Sequence, residues 1–230
     1  MGISPEPDGN EDRKVRSLLN WRPLLGPNRV PAAILAILQY QMFCKRQSGA
    51  GLTAANRMTP VYKITAARRS DLPLLPAIEL AAAKLLAGHA PESVLAETTS
   101  HENLKDAQSH GHLWVALADD VPVGFAHVEV LEPTVAHLEE IDVHPEHGRR
   151  GLGRRLVMAI CAWAATAGYR WVTLTTFRDV PWNMPFYARL GFDVIPSQEL
   201  SPALLLVVED ETLRGIDPSR RVAMRRPCAV

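Results

Sequence analysis

The sequence predicts an α/β domain, a mixed β-sheet covered by helices on both faces. Three observations carry that prediction. From Val61 onward, short segments of strand-like alternation take turns with longer segments of helical periodicity. Three of the strand-like segments follow one another as a meander between Leu113 and Val143. The last of them runs through a glycine- and arginine-rich turn, Gly148-Arg-Arg-Gly-Leu-Gly-Arg-Arg155, straight into an amphipathic helix.

The elements follow in order. Tyr62-Lys-Ile-Thr-Ala-Ala67 alternates as a first strand, and Ser70-Asp71 caps a helix whose apolar positions include Leu74, Leu75, Ile78, Leu80, Ala82, Leu85 and Leu86. Pro91 opens a second, more polar helix reaching His110. The segments 113–117 and 122–130 are strands joined by the turn at Ala118-Asp-Asp120, and the segment from Val135 to Val143 pairs with the second across Glu132-Pro-Thr134. The helix from Gly151 to Thr166 places Leu152, Leu156, Ile160 and Trp163 on one face. A strand at 171–176, a helix at 183–190 and a strand at 192–195 come next. Asn183 serves that helix as N-cap, with Pro185 in its first turn. A helix at 202–213 and a strand at 221–225 complete the chain, and no internal repeat is visible.

Residues 1–57 read differently. They open with Pro, Gly, Asn, Asp and Glu, pass through Arg13-Lys-Val-Arg16, and hold an apolar run from Val30 to Cys44 broken by Pro31, Gln39 and Gln41. That run falls short of the roughly 20 residues of a membrane span, and Lys45-Arg46-Gln47 is a poor cleavage region for an export signal. The expectation is a poorly structured leader over 1–57, with Met58 an alternative native start, followed by one domain over 58–230. At 230 residues and 47% apolar the chain can bury a full core. The formal net charge of zero gives no electrostatic case for nucleic acid. Cys44, Cys161 and Cys228 are odd in number and widely spaced, which points to free thiols in a reducing compartment.

The chemistry concentrates in the glycine–arginine turn. Gly148, Gly151 and Gly153 let the backbone approach a ligand closely. The helix that follows starts with unpaired N–H groups and the positive end of its dipole, and Arg149, Arg150, Arg154 and Arg155 add full charges. A phosphorylated ligand suits such an end. The run lacks the Lys-Ser/Thr ending of a P-loop, and Gly151-Leu-Gly153-Arg-Arg-Leu156 breaks the dinucleotide-binding pattern at its third glycine. No Gly-x-Ser-x-Gly elbow is present to support a serine hydrolase. His110-x-His112 and His144-x-x-His147 lack the clustering of a metal site, so no metal is expected.

Val143-His-Pro145 followed by Gly148-Arg-Arg-Gly151-Leu-Gly153 resembles the acyl-CoA signature of the GCN5-related N-acetyltransferases, a strand ending Val-x-Pro and a Gln/Arg-x-x-Gly-x-Gly/Ala loop. Gly148 departs from the pattern, standing where the family has Gln or Arg, with Arg149 next door. The resemblance extends to Pro185-Phe-Tyr-Ala-Arg-Leu-Gly-Phe192, in which Tyr187 precedes a Gly-Phe pair by four residues. It covers about residues 60–226 and implies the acyl-CoA N-acyltransferase fold, with a mostly antiparallel sheet. In that fold the strand carrying Glu139 to Val143 splays from the strand at 171–176. The pantetheine arm enters between them, meeting backbone groups near Ile141 and Val143.

The family's activity is transfer of an acetyl group from acetyl-CoA, as co-substrate, to a primary amine of a small molecule, amino acid, peptide or protein in a ternary complex. The implied cofactor-binding residues are Ile141, Val143, Gly148, Arg149, Arg150, Gly151, Leu152, Gly153, Arg154 and Asn183. By resemblance Tyr187 is the acid near the CoA sulfur, and the Val143 N–H is the oxyanion donor. For the base, strand alternation puts His137 and Glu139 on one face and Glu140 and Asp142 on the other. The face shared with Val143 favours Glu139, with Glu140 also a candidate, unless no single base is used. Trp114, Trp163 and Trp171 read as core, whereas Trp182 can line the acceptor pocket. The expected partners are acetyl-CoA and an amine acceptor, with no nucleic acid or membrane; the location is cytoplasmic, and the family allows a homodimer. The alternative is a non-catalytic acyl-CoA-binding sensor.

Overall fold

The computed structural model describes residues 60–228. The expected leader, the alternative start at Met58 and Cys44 lie outside them. The described chain builds a seven-stranded sheet in the order β1-β2-β3-β4-β5-β7-β6, antiparallel throughout except for the parallel pair β4–β5. Its strands are β1 (Tyr62–Ala66), β2 (Leu113–Ala118), β3 (Val121–Glu132), β4 (Val135–Val143), β5 (Trp171–Phe177), β6 (Asp193–Val194) and β7 (Arg221–Pro227). The helices are α1 (Leu75–Ala83), α2 (Glu92–Leu95), α3 (His101–Ser109), α4 (Leu152–Thr166), α5 (Asn183–Ala188) and α6 (Pro202–Leu213). The expected mixed, mostly antiparallel α/β layout is therefore the observed one.

Each face of the sheet has its own core. On one face, Ala116 of β2, Ala126 and Val128 of β3, Ala136 and Leu138 of β4, and Val172 and Leu174 of β5 pack under Leu152, Leu156, Val157 and Ile160 of α4. On the other, Leu113, Val115 and Leu117 of β2 and Phe125 of β3 pack under Leu75 and Ile78 of α1 and Leu104 and Ala107 of α3. Strand β2 is covered on both sides, which is why it reads as a continuous apolar run rather than an alternating one. The β2–β3 turn needs two left-handed residues to match the twist of its strands. Asp119 and Asp120 supply them at φ 46° and 67°, a conformation that aspartate tolerates better than most side chains.

Local chemistry moved several boundaries. The expected helix from Pro91 to His110 is two helices, α2 and α3, because the stretch between them is committed elsewhere. The Thr99 N–H and hydroxyl donate to the Glu79 carboxylate at 2.9 and 3.1 Å, and Ser100 then caps α3 through the Asn103 N–H. Asp71 does not cap the first helix. Its carboxylate accepts from the Arg68 N–H and guanidinium at 2.8 and 2.9 Å, and a 3₁₀ turn over Leu72–Leu74 precedes α1. Asn183 is not the cap of α5 either: Trp182 holds that position without a side-chain bond, and Asn183 is the first helical residue. Cys161 and Cys228 are free thiols, as expected.

One irregularity governs the site. In the β3–β4 ladder His127 faces Glu140 and Val128 faces Leu138, so Glu139 is an extra residue, a β-bulge in β4.

Candidate active site

Strand β4 stays paired with β3 to its end, at Gly124↔Val143. Its pairing with β5 stops at Leu138↔Leu174, although β5 goes on pairing with β7 as far as Phe177. The two central strands therefore part beside the bulge, and one side of β4 from Glu139 to Val143 has no neighbouring strand. The His144 N–H donates to the Val123 carbonyl, so by alternation the N–H groups of Ile141 and Val143 turn away from β3, toward the gap. The Ile141 N–H is met there by Glu140 Oε1 at 3.1 Å. Unpaired backbone groups inside a sheet call for a partner, and an extended amide-bearing ligand is one.

The turn after β4 prepares the far end of this gap. A 3₁₀ turn over Pro145–His147 closes on Gly148, where a Cβ would meet the Pro145 carbonyl oxygen at 3.1 Å. Arg149 is held at φ 58°, and Gly151 caps α4 at φ 75° with open space around it. The Arg155 N–H closes the first helical turn on the Gly151 carbonyl, which leaves the N–H groups ahead of it free to meet an anion. A Cβ on Gly153 would stand 3.6 Å from the Phe186 ring of α5, an ordinary van der Waals contact. Arg149, Arg150 and Arg154 project to solvent around this helix start. The turn is fastened to the edge strand: Tyr62 Oη and His147 Nδ1 are 3.0 Å apart, Arg155 donates to the Tyr62 carbonyl at 3.0 Å, and the Arg150 guanidinium lies 5.7 Å from the Tyr62 ring centre.

The carboxylates gather on the face of β4 that is covered by α1 and α6. Oxygens of Glu79, Glu140 and Asp142 lie within 4.8 Å of one another. The grouping of Glu140 with Asp142 agrees with the sequence, but the expectation that His137 and Glu139 stand opposite them does not hold. The bulge resets the alternation, so Leu138, Ile141 and Val143 pack with the α4 core. Glu139 keeps to the side of His137, whose Nε2 is 3.7 Å from Glu139 Oε2, and so does not share a face with Val143.

Burial among like charges raises every one of these acids. Burial, then Glu129 and Glu140, push Glu139 up to about 8, although its side chain remains 37% exposed on the open side of the cleft. Burial and Glu140 push Glu79 up to about 8 as well, against the pull of Thr99. Asp142 is raised well above the carboxylate range by burial, Glu140 and Glu79, and its Oδ2 is sealed from solvent without a hydrogen-bond partner. Glu140 is raised mainly by burial.

Tyr187 reaches the same region from α5, wedged edge-on between Phe186 and Phe192. Burial and the nearby Glu140 and Asp142 drive its phenol far above the usual tyrosine range, so it keeps its proton. Trp182, 48% exposed, leads into α5 and stands edge-on to His89, with ring centres 5.7 Å apart. Asn183 is half-buried at the start of α5, its N–H donating to the Val180 carbonyl. Glu79 is the member of this group that the sequence reading missed. Its signal is a glutamate at a core position of Leu75-Pro-Ala-Ile-Glu-Leu-Ala-Ala-Ala83, where an amphipathic helix has no solvent-facing use for it.

A parted sheet that opens on a helix N-terminus is the architecture of the acyl-CoA N-acyltransferase fold. Residues 81–192 match the model of the Acetyltransferase (GNAT) family, and over this stretch the chain is a member of that family. Across 51 residues it is 39% identical to mycothiol acetyltransferase of Salinispora arenicola, a match spanning 22% of this chain and 17% of that protein. Among solved structures, the fold is similar to PaiA N-acetyltransferase of Thermoplasma acidophilum in complex with coenzyme A. The TM-score is 0.58 at 18% identity, over 73% of this chain and 99% of that one. It is also similar to N-acetylglutamate synthase of Neisseria gonorrhoeae complexed with coenzyme A and N-acetyl-glutamate, with a TM-score of 0.55 at 18% identity over 75% of this chain and 36% of that one.

Proposed function

We propose that the protein transfers the acetyl group of acetyl-CoA to a primary amine of a small molecule, amino acid, peptide or protein, by direct attack in a ternary complex. The observation that carries this reading is the parting of β4 from β5 beside the bulge, directly ahead of the Gly151 helix start. The gap accepts an extended pantetheine, whose amides pair with the β4 backbone beside Ile141 in place of the missing strand and leave the Val143 N–H for the thioester. The pyrophosphate then falls at the start of α4, held by the N–H groups of Leu152, Gly153 and Arg154, with Gly148, Arg149 and Arg150 forming the rim. Asn183 stands at the opposite wall, where α5 begins.

Attack on the thioester needs a neutral amine, a donor for the oxyanion and a proton for the leaving thiolate. Glu139, at the mouth of the gap, accepts the proton of the amine, directly or through water, and Glu140 is the second candidate for that role. The nitrogen attacks the thioester carbonyl, the Val143 N–H stabilises the oxyanion, and the carbon–sulfur bond breaks as Tyr187 gives its proton to the departing sulfur. The acylated nitrogen sheds its remaining excess proton, which the phenolate takes up, and the carboxylate releases its proton to solvent, leaving the amide and free coenzyme A. The acceptor enters from the carboxylate side, past Trp182 and His89. Among the described residues no helix is long and apolar enough to cross a membrane; the supply of acetyl-CoA favours the cytoplasm as the place of work.

Incubating the full chain with acetyl-CoA and a panel of amines, while detecting free thiol, tests the proposal. Thiol release that depends on one class of amine supports it. Acetyl-CoA binding with no release from any amine contradicts it and favours the sensor.

A further inference from the structure

Pairing between β4 and β5 ends on two rungs, His137↔Thr173 and Leu138↔Leu174. The first carries a polar pair in the interior: Thr173 Oγ1 is 3.0 Å from His137 Nδ1, and the two residues are 3% and 1% exposed. The other imidazole nitrogen, Nε2, faces Glu139 Oε2 at 3.7 Å, just beyond hydrogen-bond length. Burial lowers His137 to about 4, so the ring is neutral and carries one proton. Once Glu139 is ionised, above about pH 8, a proton on Nδ1 would leave the Nε2 lone pair confronting the carboxylate. With the threonine hydroxyl donating to Nδ1, the proton sits on Nε2 and points at Glu139.

We propose that Thr173 and His137 form a positioning relay for Glu139: the threonine hydroxyl fixes the imidazole tautomer, and the Nε2–H holds the bulged carboxylate at the mouth of the β4–β5 gap. The relay rests on the acyl-transfer reading only where it makes Glu139 the base. The groups facing this carboxylate are Glu129 from β3, Glu140 from β4, Glu211 from α6 and Arg214 just past the end of α6; those facing the imidazole are His127 from β3, Glu211 from α6 and Arg221 from β7. The three glutamates oppose ionisation of Glu139, and Arg214 favours it. A donor from His137 is therefore well placed to keep the group a usable base. Residues 137 and 139 share a side by ordinary alternation, and the bulge at Glu139 brings Glu140 and Asp142 to that side as well, away from Ile141 and Val143.

The test reads ionisation and tautomer directly in the full chain, without acetyl-CoA. Carbon-13 NMR of the Glu139 carboxyl gives its titration midpoint, and nitrogen-15 NMR of His137 gives the protonated nitrogen, in wild type, Thr173→Val, His137→Phe and His137→Gln. Above the Glu139 midpoint, wild type is expected to show protonated Nε2. Thr173→Val and His137→Phe are expected to raise the Glu139 midpoint by about one pH unit, as loss of a hydrogen bond to the charged form does. His137→Gln, whose amide can donate, recovers most of that shift. Protonated Nδ1 in wild type above that midpoint, or an unchanged midpoint in Thr173→Val, overturns the relay. Thr173→Val replaces one hydroxyl by a methyl and keeps the test open if His137→Phe does not fold. Midpoints that shift while no amine releases thiol support the relay and contradict the acetyl-transfer reading instead.

Discussion

Tyr187 and Glu139 are both shifted above the ordinary range of their residue types. The phenol is driven upward until it is a secure proton donor, while the carboxyl is lifted to about 8, where it can take a proton from an amine. Replacing Tyr187 by Phe should lower kcat by roughly 100-fold, in the range of a lost general acid, with the Kd for acetyl-CoA within a few-fold of wild type. Steady-state kinetics beside calorimetry separate the two. For Glu139 the base is the ionised form, so kcat/KM should climb as pH rises through about 8 and flatten above it. Glu139→Gln should abolish that limb, whereas a limb that persists unchanged assigns it to another group. The sequence named both residues, but by strict alternation it grouped Glu139 with Val143, which the bulge turns to the other face. A bulge leaves no mark in a run such as Leu-Glu-Glu-Ile-Asp-Val, because the extra residue is defined by the register of β3, which only pairing reveals.

At the scale of elements, the site is made by what two strands and one helix fail to complete. Strands β4 and β5 stop pairing one rung after His137↔Thr173, and α4 begins with donors that its own turn cannot satisfy. Gly151→Glu forces a charged β-carbon side chain onto a residue at φ 75° and sets a negative charge against the anion site. Its acetyl-CoA affinity should fall at least 100-fold by calorimetry with the fold retained by circular dichroism; unchanged affinity removes this turn from the binding site. The glycine turn, the meander and the tyrosine helix were legible because each is punctuated locally, by glycines, by an Asp-Asp turn, and by Pro185 near a helix start. The break between α2 and α3 was not, because it depends on Thr99 reaching Glu79 across the fold. The Glu79, Glu140 and Asp142 cluster was half legible for the same reason: two members share a strand, and the third comes from α1.

Across the whole molecule, one α/β layer structure carries two demands that pull against each other. The apolar cores above and below the sheet hold it together, and Leu156, fully buried between α4 and the sheet, marks the centre of one of them. Leu156→Ala should cost about 2–5 kcal/mol in chemical denaturation, as cavity-forming changes in a packed core do. The carboxylates beneath α1 work the other way. Glu79 has a folded-state midpoint near 8 against 4.5 when unfolded, so the folded chain binds more protons between those values. Stability contributed by this group is therefore full below about pH 4.5 and is lost as pH rises toward 8. The melting temperature should fall between pH 5.5 and pH 8.5, and Glu79→Gln, which keeps the acceptor for Thr99 without a charge to ionise, should flatten that fall. A curve that rises over this interval in wild type contradicts the assigned environment.

The most direct measurement is thiol release from acetyl-CoA over a panel of amines, run in parallel on wild type and Tyr187→Phe with acetyl-CoA affinity measured for both. Amine-dependent release by wild type, reduced roughly 100-fold in Tyr187→Phe at nearly unchanged affinity, is the expected result. Equal release by the two proteins, or tight binding of acetyl-CoA with no release from any amine, would contradict an acetyltransferase that works through this cleft.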